Sequence, residues 1–215
     1  MQLDPKKTAV VMIEFQNDFT SEGGTLHGAV KEVMESTNML SNAQETVKKA
    51  RELGATIIHA PITFAAGYPE LGDHPYGILK GVVDSSSFRK GTWGADFVDE
   101  MKPEEGDLVV EGKRGLCAFN STNLDFVLRG RGIENVALGG FLTNCCVESS
   151  MRTAYEKGFN VFTLTDCVAA TSEEEHRVAI EKDYPMFSHP VEHGEFLNIL
   201  AGETVAADSS RGYAD

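Results

Sequence analysis

The run Gly139-Gly140-Phe141-Leu142-Thr143-Asn144-Cys145-Cys146-Val147-Glu148-Ser149-Ser150 brings cysteine to the place where an apolar strand stops and a helix starts. A helix N-terminus presents unpaired N–H groups and a partial positive charge. Both favour a thiolate, the nucleophilic form of cysteine. The same N–H groups can hold the oxyanion that forms when sulfur attacks a carbonyl. Two further strand ends carry reactive side chains, Glu14 after the first strand and Lys113 after the third. A carboxylate, an ammonium and a thiol on one sheet edge are the parts of covalent catalysis: a base, a cation and a nucleophile.

The elements that must position these groups alternate along the chain. Thr8–Glu14 reads as a buried strand, because Ala9 to Ile13 run apolar without a break. A helix follows over Val30–Leu53, with Leu40, Ala43, Val47 and Ala50 at helical spacing and Gly54 as its cap. Ala55–Ala60, Asp107–Glu111, Asn135–Leu138 and Val161–Thr165 read as four more strands. Helices are expected over Ser121–Arg131, Cys146–Lys157, Ser172–Asp183 and Val191–Leu200. Pro61–Gly106 is irregular and aromatic, and a stretch of that length is usually functional. Alternating strands and helices imply an α/β fold, a three-layer α/β/α sandwich around a mostly parallel sheet. Residues 1–200 are read as one domain and 201–215 as a flexible tail with little to bury.

With 215 residues the chain is long enough for a sizeable core. Its formal net charge of −14 argues against nucleic acid and anionic membrane as partners. There is no apolar run approaching the roughly 20 residues of a membrane span, and the start, Met1-Gln2-Leu3-Asp4-Pro5-Lys6-Lys7, is unlike a secretory leader. The cysteines Cys117, Cys145, Cys146 and Cys167 show neither CxxC nor zinc-type spacing, which fits free thiols in a reducing cytoplasm. No GxGxxG follows the first strand, so a dinucleotide enzyme is not expected.

Three blocks together resemble the isochorismatase-like cysteine hydrolases. The first is Val11-Met12-Ile13-Glu14-Phe15-Gln16-Asn17-Asp18-Phe19; the second is Gly112-Lys113-Arg114-Gly115-Leu116-Cys117-Ala118-Phe119 with Thr122-Asn123-Leu124; the third is the opening cysteine run. The likeness covers about Thr8 to Leu200, and Gly91-Thr92-Trp93 with the Cys-Val-Glu-Ser run resembles the N-carbamoyl and ureidoacrylate branch. The resemblance implies a catalytic triad of Glu14, Lys113 and Cys146. It selects Cys146 over Cys145 because Cys146 precedes Val147. It also implies an oxyanion hole from the backbone N–H groups of Leu142 and Cys146, a cis peptide joining Leu142 to Thr143, and a homo-oligomer, dimer or tetramer, acting on a small molecule. Phe19, Trp93, Phe119 and Thr143 are the candidate substrate contacts, with core packing the alternative for the aromatic rings.

Two departures matter. The family's acid is usually aspartate, and Glu14 adds a methylene, about one C–C bond of reach. Members that hold a metal carry Asp-x-His after the second strand, where this chain has His59-Ala60-Pro61-Ile62-Thr63-Phe64, so no metal and no cofactor are expected. The leading expectation is hydrolysis of a small amide, carbamoyl or ureido compound through a thioester. The alternatives are vinyl-ether hydrolysis of an isochorismate-like compound and a catalytically silent binding protein on the same fold.

Overall fold

The computed structural model describes residues 2–203. Six parallel strands form one sheet in the order β3-β2-β1-β4-β5-β6. They are β1 (Thr8–Ile13), β2 (Thr56–Ala60), β3 (Leu108–Val109), β4 (Asn135–Phe141), β5 (Asn160–Ala169) and β6 (His189–Val191). The helices are α1 (Asn17–Thr20), α2 (His27–Ser36), α3 (Met39–Glu52), α4 (Gly77–Asp84), α5 (Leu124–Gly130), α6 (Glu148–Glu156), α7 (Glu173–Val178), α8 (Tyr184–Phe187) and α9 (His193–Ala201). Among these residues no helix is long and apolar enough to cross a membrane.

Strand alternation separates the two core layers. Val10 and Met12 face the side covered by α2, α3 and α9, with Val30, Val47, Phe196 and Leu200. Ala9, Val11 and Ile13 face the side covered by α5, α6 and α8, with Leu128, Met151 and Tyr184. β1 is buried along its whole length, as its unbroken apolar run requires in a central parallel strand. The strand order reverses between β1 and β4, and such switch points are where open α/β sheets bind ligands, beyond the strands' C-terminal ends.

Several boundaries differ from the sequence expectation. The single helix over Val30–Leu53 is two, α2 and α3, broken at Asn38, whose φ of 53° is left-handed and tolerated by asparagine. Asn42 Nδ2 then caps the break on Thr37 O at 2.9 Å. β4 continues through Gly139 and Gly140 to Phe141, because the ladder to β1 runs on to Ile13↔Gly140. Gly140 has φ 128°, and a Cβ there would lie 2.0 Å from Ile13 O. Only glycine lets the two strands approach this closely. β5 extends to Ala169 across an irregularity opposite Gly139, and β6 is an additional edge strand. Ser172–Asp183 is α7 followed by a wider turn over Ala179–Asp183. Ala201 still belongs to α9, which Gly202 caps at φ 78°; the rest of the expected tail, 204–215, lies outside the described residues.

Candidate active site

Beyond Ile13 the chain leaves the sheet at Glu14, which adopts φ 61°. A left-handed residue other than glycine costs about 1–2 kcal/mol, so the turn is held from outside: Glu14 N donates to Ala60 O at 3.1 Å, and Gln16 N donates to Glu14 O at 2.7 Å. The Glu14 carboxylate accepts a short hydrogen bond from Lys113 Nζ. Lys113 lies in the loop after β3, and its Nζ also donates to Gly115 O at 2.9 Å. Glu14 is 2% exposed and Lys113 1%, so the two charges are buried together. The longer glutamate arm thus reaches the lysine from a strand end bent out of register.

Cys146 sits in a wide helical turn, Thr143–Val147, that joins β4 to α6; it lies before the regular helix rather than on its first residue. It is 4% exposed and packs with Ala118, Phe119 and Val147 in the layer under α5 and α6. Leu142 O accepts from Cys145 N at 3.1 Å and from Val147 N at 3.2 Å, bonds that pass over Cys146 N. Ser150 Oγ donates to Cys146 O at 2.7 Å and accepts from Ala118 N at 2.9 Å. That one hydroxyl ties the cysteine turn to the loop that carries Lys113.

The electrostatics assign proton positions. The hydrogen bond with the Cys145 thiol, then burial, then the Glu14 charge push the Cys146 thiol well up, and Lys113 opposes them. The same hydrogen bond pulls the half-buried Cys145 thiol down. Burial works against the Lys113 ammonium, but the charges of Glu14 and Cys146 and the bond to Glu14 outweigh it and hold its pKa up. These surroundings favour the thiol form of Cys146 and the charged form of Lys113, the reverse of what a helix start alone implies for the cysteine.

The remaining candidates lie as follows. Phe19 is buried and stacks on Phe141 at 4.8 Å between centroids, with Phe88 at 5.2 Å. Phe119 packs against Phe159 within the layer that holds Cys146. Trp93 is 54% exposed and lines a cleft of about 610 Å³ with Asn17, Phe97 and Lys102. Thr143 is fully buried, and its Oγ1 pairs with His176 Nδ1 at 2.9 Å while its carbonyl accepts from Tyr184 OH at 2.8 Å. The structure therefore brings Glu14, Lys113 and Cys146 together, whereas Thr143 is engaged by the scaffold. The cis peptide is Phe141–Leu142, one bond earlier than expected. Arg114 is taken up by Glu70, at 3.2 Å.

The block after Glu14 has a structural task. Gln16 Nε2 donates to Ile62 O at 2.9 Å and Ala95 O at 2.7 Å, and its Oε1 accepts from Ile62 N at 2.9 Å. Asn17 Nδ2 donates to Trp93 O at 2.9 Å. Asp18 accepts from Thr25 N at 3.1 Å, Thr25 Oγ1 at 2.9 Å and Phe88 N at 2.7 Å. These three side chains pin the irregular Pro61–Gly106 region to the end of β1. Ser150, His176 and Tyr184 were not singled out from sequence. The only signal for Ser150 is its four-residue spacing from Cys146, one helical turn.

A family model for the isochorismatase domain matches residues 8–195. Ureidoacrylate amidohydrolase RutB of Agrobacterium fabrum is 35% identical over 164 residues, 71% of this chain and 72% of its own length. The enzyme of the same name from Acinetobacter baylyi is 31% identical over 210 residues, 92% of this chain and 85% of its own. The crystal structure of a cysteine hydrolase from Pseudomonas syringae pv. phaseolicola superposes with a TM-score of 0.79 at 19% identity, covering 94% of this chain and 96% of that one. With the motif blocks, the six-stranded parallel sheet and the matched domain all agreeing, the chain belongs to the isochorismatase family.

Proposed function

We propose that this chain hydrolyses the C–N bond of a small ureido or carbamoyl compound through a covalent intermediate on Cys146, with Glu14 as base and Lys113 as its charge partner. It is an amidohydrolase of non-peptide C–N bonds, as its relatives are. The observation that carries the mechanism is the buried Glu14–Lys113 pair beside a buried Cys146. A buried ion pair is a weak way to gain stability, since desolvation offsets most of the attraction. It is a sound way to keep a base and a cation next to a thiol.

In the first step Glu14 takes the Cys146 proton and the sulfur attacks the carbonyl carbon. Lys113 balances the negative charge that the pair and the thiolate share. The backbone N–H groups of Leu142 and Cys146 donate to the oxyanion; one such donor is worth about 2.7–4 kcal/mol. As the C–N bond breaks, Glu14 returns the proton to the leaving nitrogen. For a terminal ureido group the leaving molecule is ammonia and the covalent species is a thiocarbamate; for a simple amide it is a thioester. Water, deprotonated by Glu14, then attacks that carbonyl and releases Cys146 with its proton restored. The vinyl-ether alternative needs no nucleophile and gives Cys146 nothing to do.

The test is ammonia release from 3-ureidoacrylate, with N-carbamoyl amino acids and simple amides alongside. Cys146→Ala is expected to abolish turnover while Cys145→Ala retains it. Undiminished hydrolysis by the Cys146→Ala protein would falsify the reading. The reading includes assembly as a homo-oligomer, which light scattering checks.

A further inference from the structure

We propose that His176 is a positioning residue for the nucleophile, holding the Cys146 turn in its reactive shape through Thr143 Oγ1. The inference rests on the catalytic reading of Cys146 above. The turn Thr143–Val147 cannot support itself in the way a regular helix does. Asn144, at φ −89° and ψ 15°, leaves helical geometry inside it, and the wide turn is only five residues long. Its shape must be fixed by groups outside it.

Thr143 opens this turn, and both of its polar groups beyond the amide are held by one arm of the molecule. His176 on α7 takes the hydroxyl at 2.9 Å, and Tyr184 on α8 donates to the carbonyl at 2.8 Å. The residue before Thr143 is Leu142, whose carbonyl bonds the amides of Cys145 and Val147 and whose own amide is a proposed oxyanion donor. Rotation at Thr143 would therefore misdirect the sulfur and that donor together. A misplacement near 1 Å is enough to lower a rate by about 100-fold.

α7 gives a second and independent indication. His176 is the sole buried residue of this helix; Glu173, Glu174, Glu175, Arg177 and Val178 are exposed. His176 is the residue this helix buries, and its imidazole's hydrogen bond goes to Thr143, whereas the exposed Glu173 carboxylate accepts from Ser36 Oγ on α2. Were packing the only requirement, an apolar side chain would fill the space without the cost of burying a polar ring. On its other side His176 lines a cleft of about 890 Å³ with Asp166, Glu173 and Arg177, so it stands between solvent and the cysteine turn.

The experiment compares wild type, His176→Leu and His176→Asn. Asparagine can place a hydrogen-bonding atom near the position of Nδ1, and leucine cannot. Two readouts are taken: kcat and KM on 3-ureidoacrylate, and the rate of Cys146 alkylation by iodoacetamide, assigned by peptide mass mapping to separate it from Cys145. His176→Leu is expected to lose about 10- to 100-fold in kcat with KM little changed, and to change the alkylation rate; His176→Asn recovers most of both. Equal kcat in wild type and His176→Leu, or equal damage in both variants, overturns the proposal. If His176→Leu does not fold, Thr143→Val against Thr143→Ser asks the same question, and the hydroxyl-retaining serine must be the more active. Should wild type fail to hydrolyse 3-ureidoacrylate, the substrate reading falls but the alkylation series still decides the positioning role.

Discussion

β1 and β4 lie side by side, and each delivers one group of the proposed triad from its C-terminal end, yet the two ends are fastened by opposite strategies. At β1 the fastening side chains belong to the strand end itself. Gln16, Asn17 and Asp18 follow Glu14 directly and reach out to hold the backbone of Ile62, Phe88, Trp93 and Ala95. At β4 the fastening arrives from a distance. His176 and Tyr184 come from 33 and 41 residues further along the chain to hold Thr143. The β1 end organises a large irregular region, whereas the β4 end is organised by two later helices, α7 and α8. The Glu14 turn is held by the Ala60 carbonyl and faces a buried lysine, while the Cys146 turn is held through both polar groups of Thr143.

The largest effect that tests this contrast is chemical. Glu14→Gln removes the base without shortening the side chain and is expected to lower kcat by about 10²–10⁴-fold, read by ammonia release, while Cys146 remains alkylatable. Next comes Glu14→Asp. It restores the residue more usual in the family but withdraws the carboxylate by about one C–C bond. Because this β1 end is bent to suit the longer arm, kcat should fall by roughly 10²-fold; a gain in activity would mean that the turn adapts to either acid. Gln16→Ala strikes the β1 fastening itself. It strands the buried amide and carbonyl of Ile62 and the carbonyl of Ala95, each worth about 1–3 kcal/mol. Thermal unfolding and protease cleavage within Pro61–Gly106 should both report the loss.

The smallest effect is in pH. Burial holds the imidazoles of His176 and His59 below their ordinary range, with Glu173 and Asp107 respectively opposing it. The unfolded chain therefore binds more protons than the folded one just below an ordinary imidazole value of about 6.5. Their contribution to stability is complete above that value and is lost as the pH falls toward the depressed folded values. Melts between pH 7.5 and 5.5 should show the decline, and His176→Asn should remove its share.

The parts of the molecule that could be read in advance are those where function and neighbouring residues coincide. The β1 strand announces itself by an unbroken apolar run, and the three reactive residues stand at strand ends that α/β geometry brings together. The glutamine block was readable as a motif, and its side chains hold the backbone of Ile62, Phe88, Trp93 and Ala95. What stayed hidden depended on tertiary contacts. β4 continues through two glycines only because β1 is there to pair with them. The break at Asn38 looks, in one dimension, like an ordinary polar residue in a helix. A serine one turn beyond the nucleophile, and a histidine and a tyrosine on later helices, leave no local pattern, since the partner that gives each its meaning is remote in sequence.

Gly140 sets a limit on how this enzyme can change. A methyl group there would meet the backbone of Ile13 at 2.0 Å, directly beneath the residue that bears the base. At Gly140 the seam between β1 and β4 has no room for a side chain, and a library that varies this position is expected to lose the pairing of the two strands. Variation must be borne by the loops that rise above the seam, Pro61–Gly106 and Gly112–Ser121. A substrate-altering library should therefore randomise those two segments while leaving the glycine untouched.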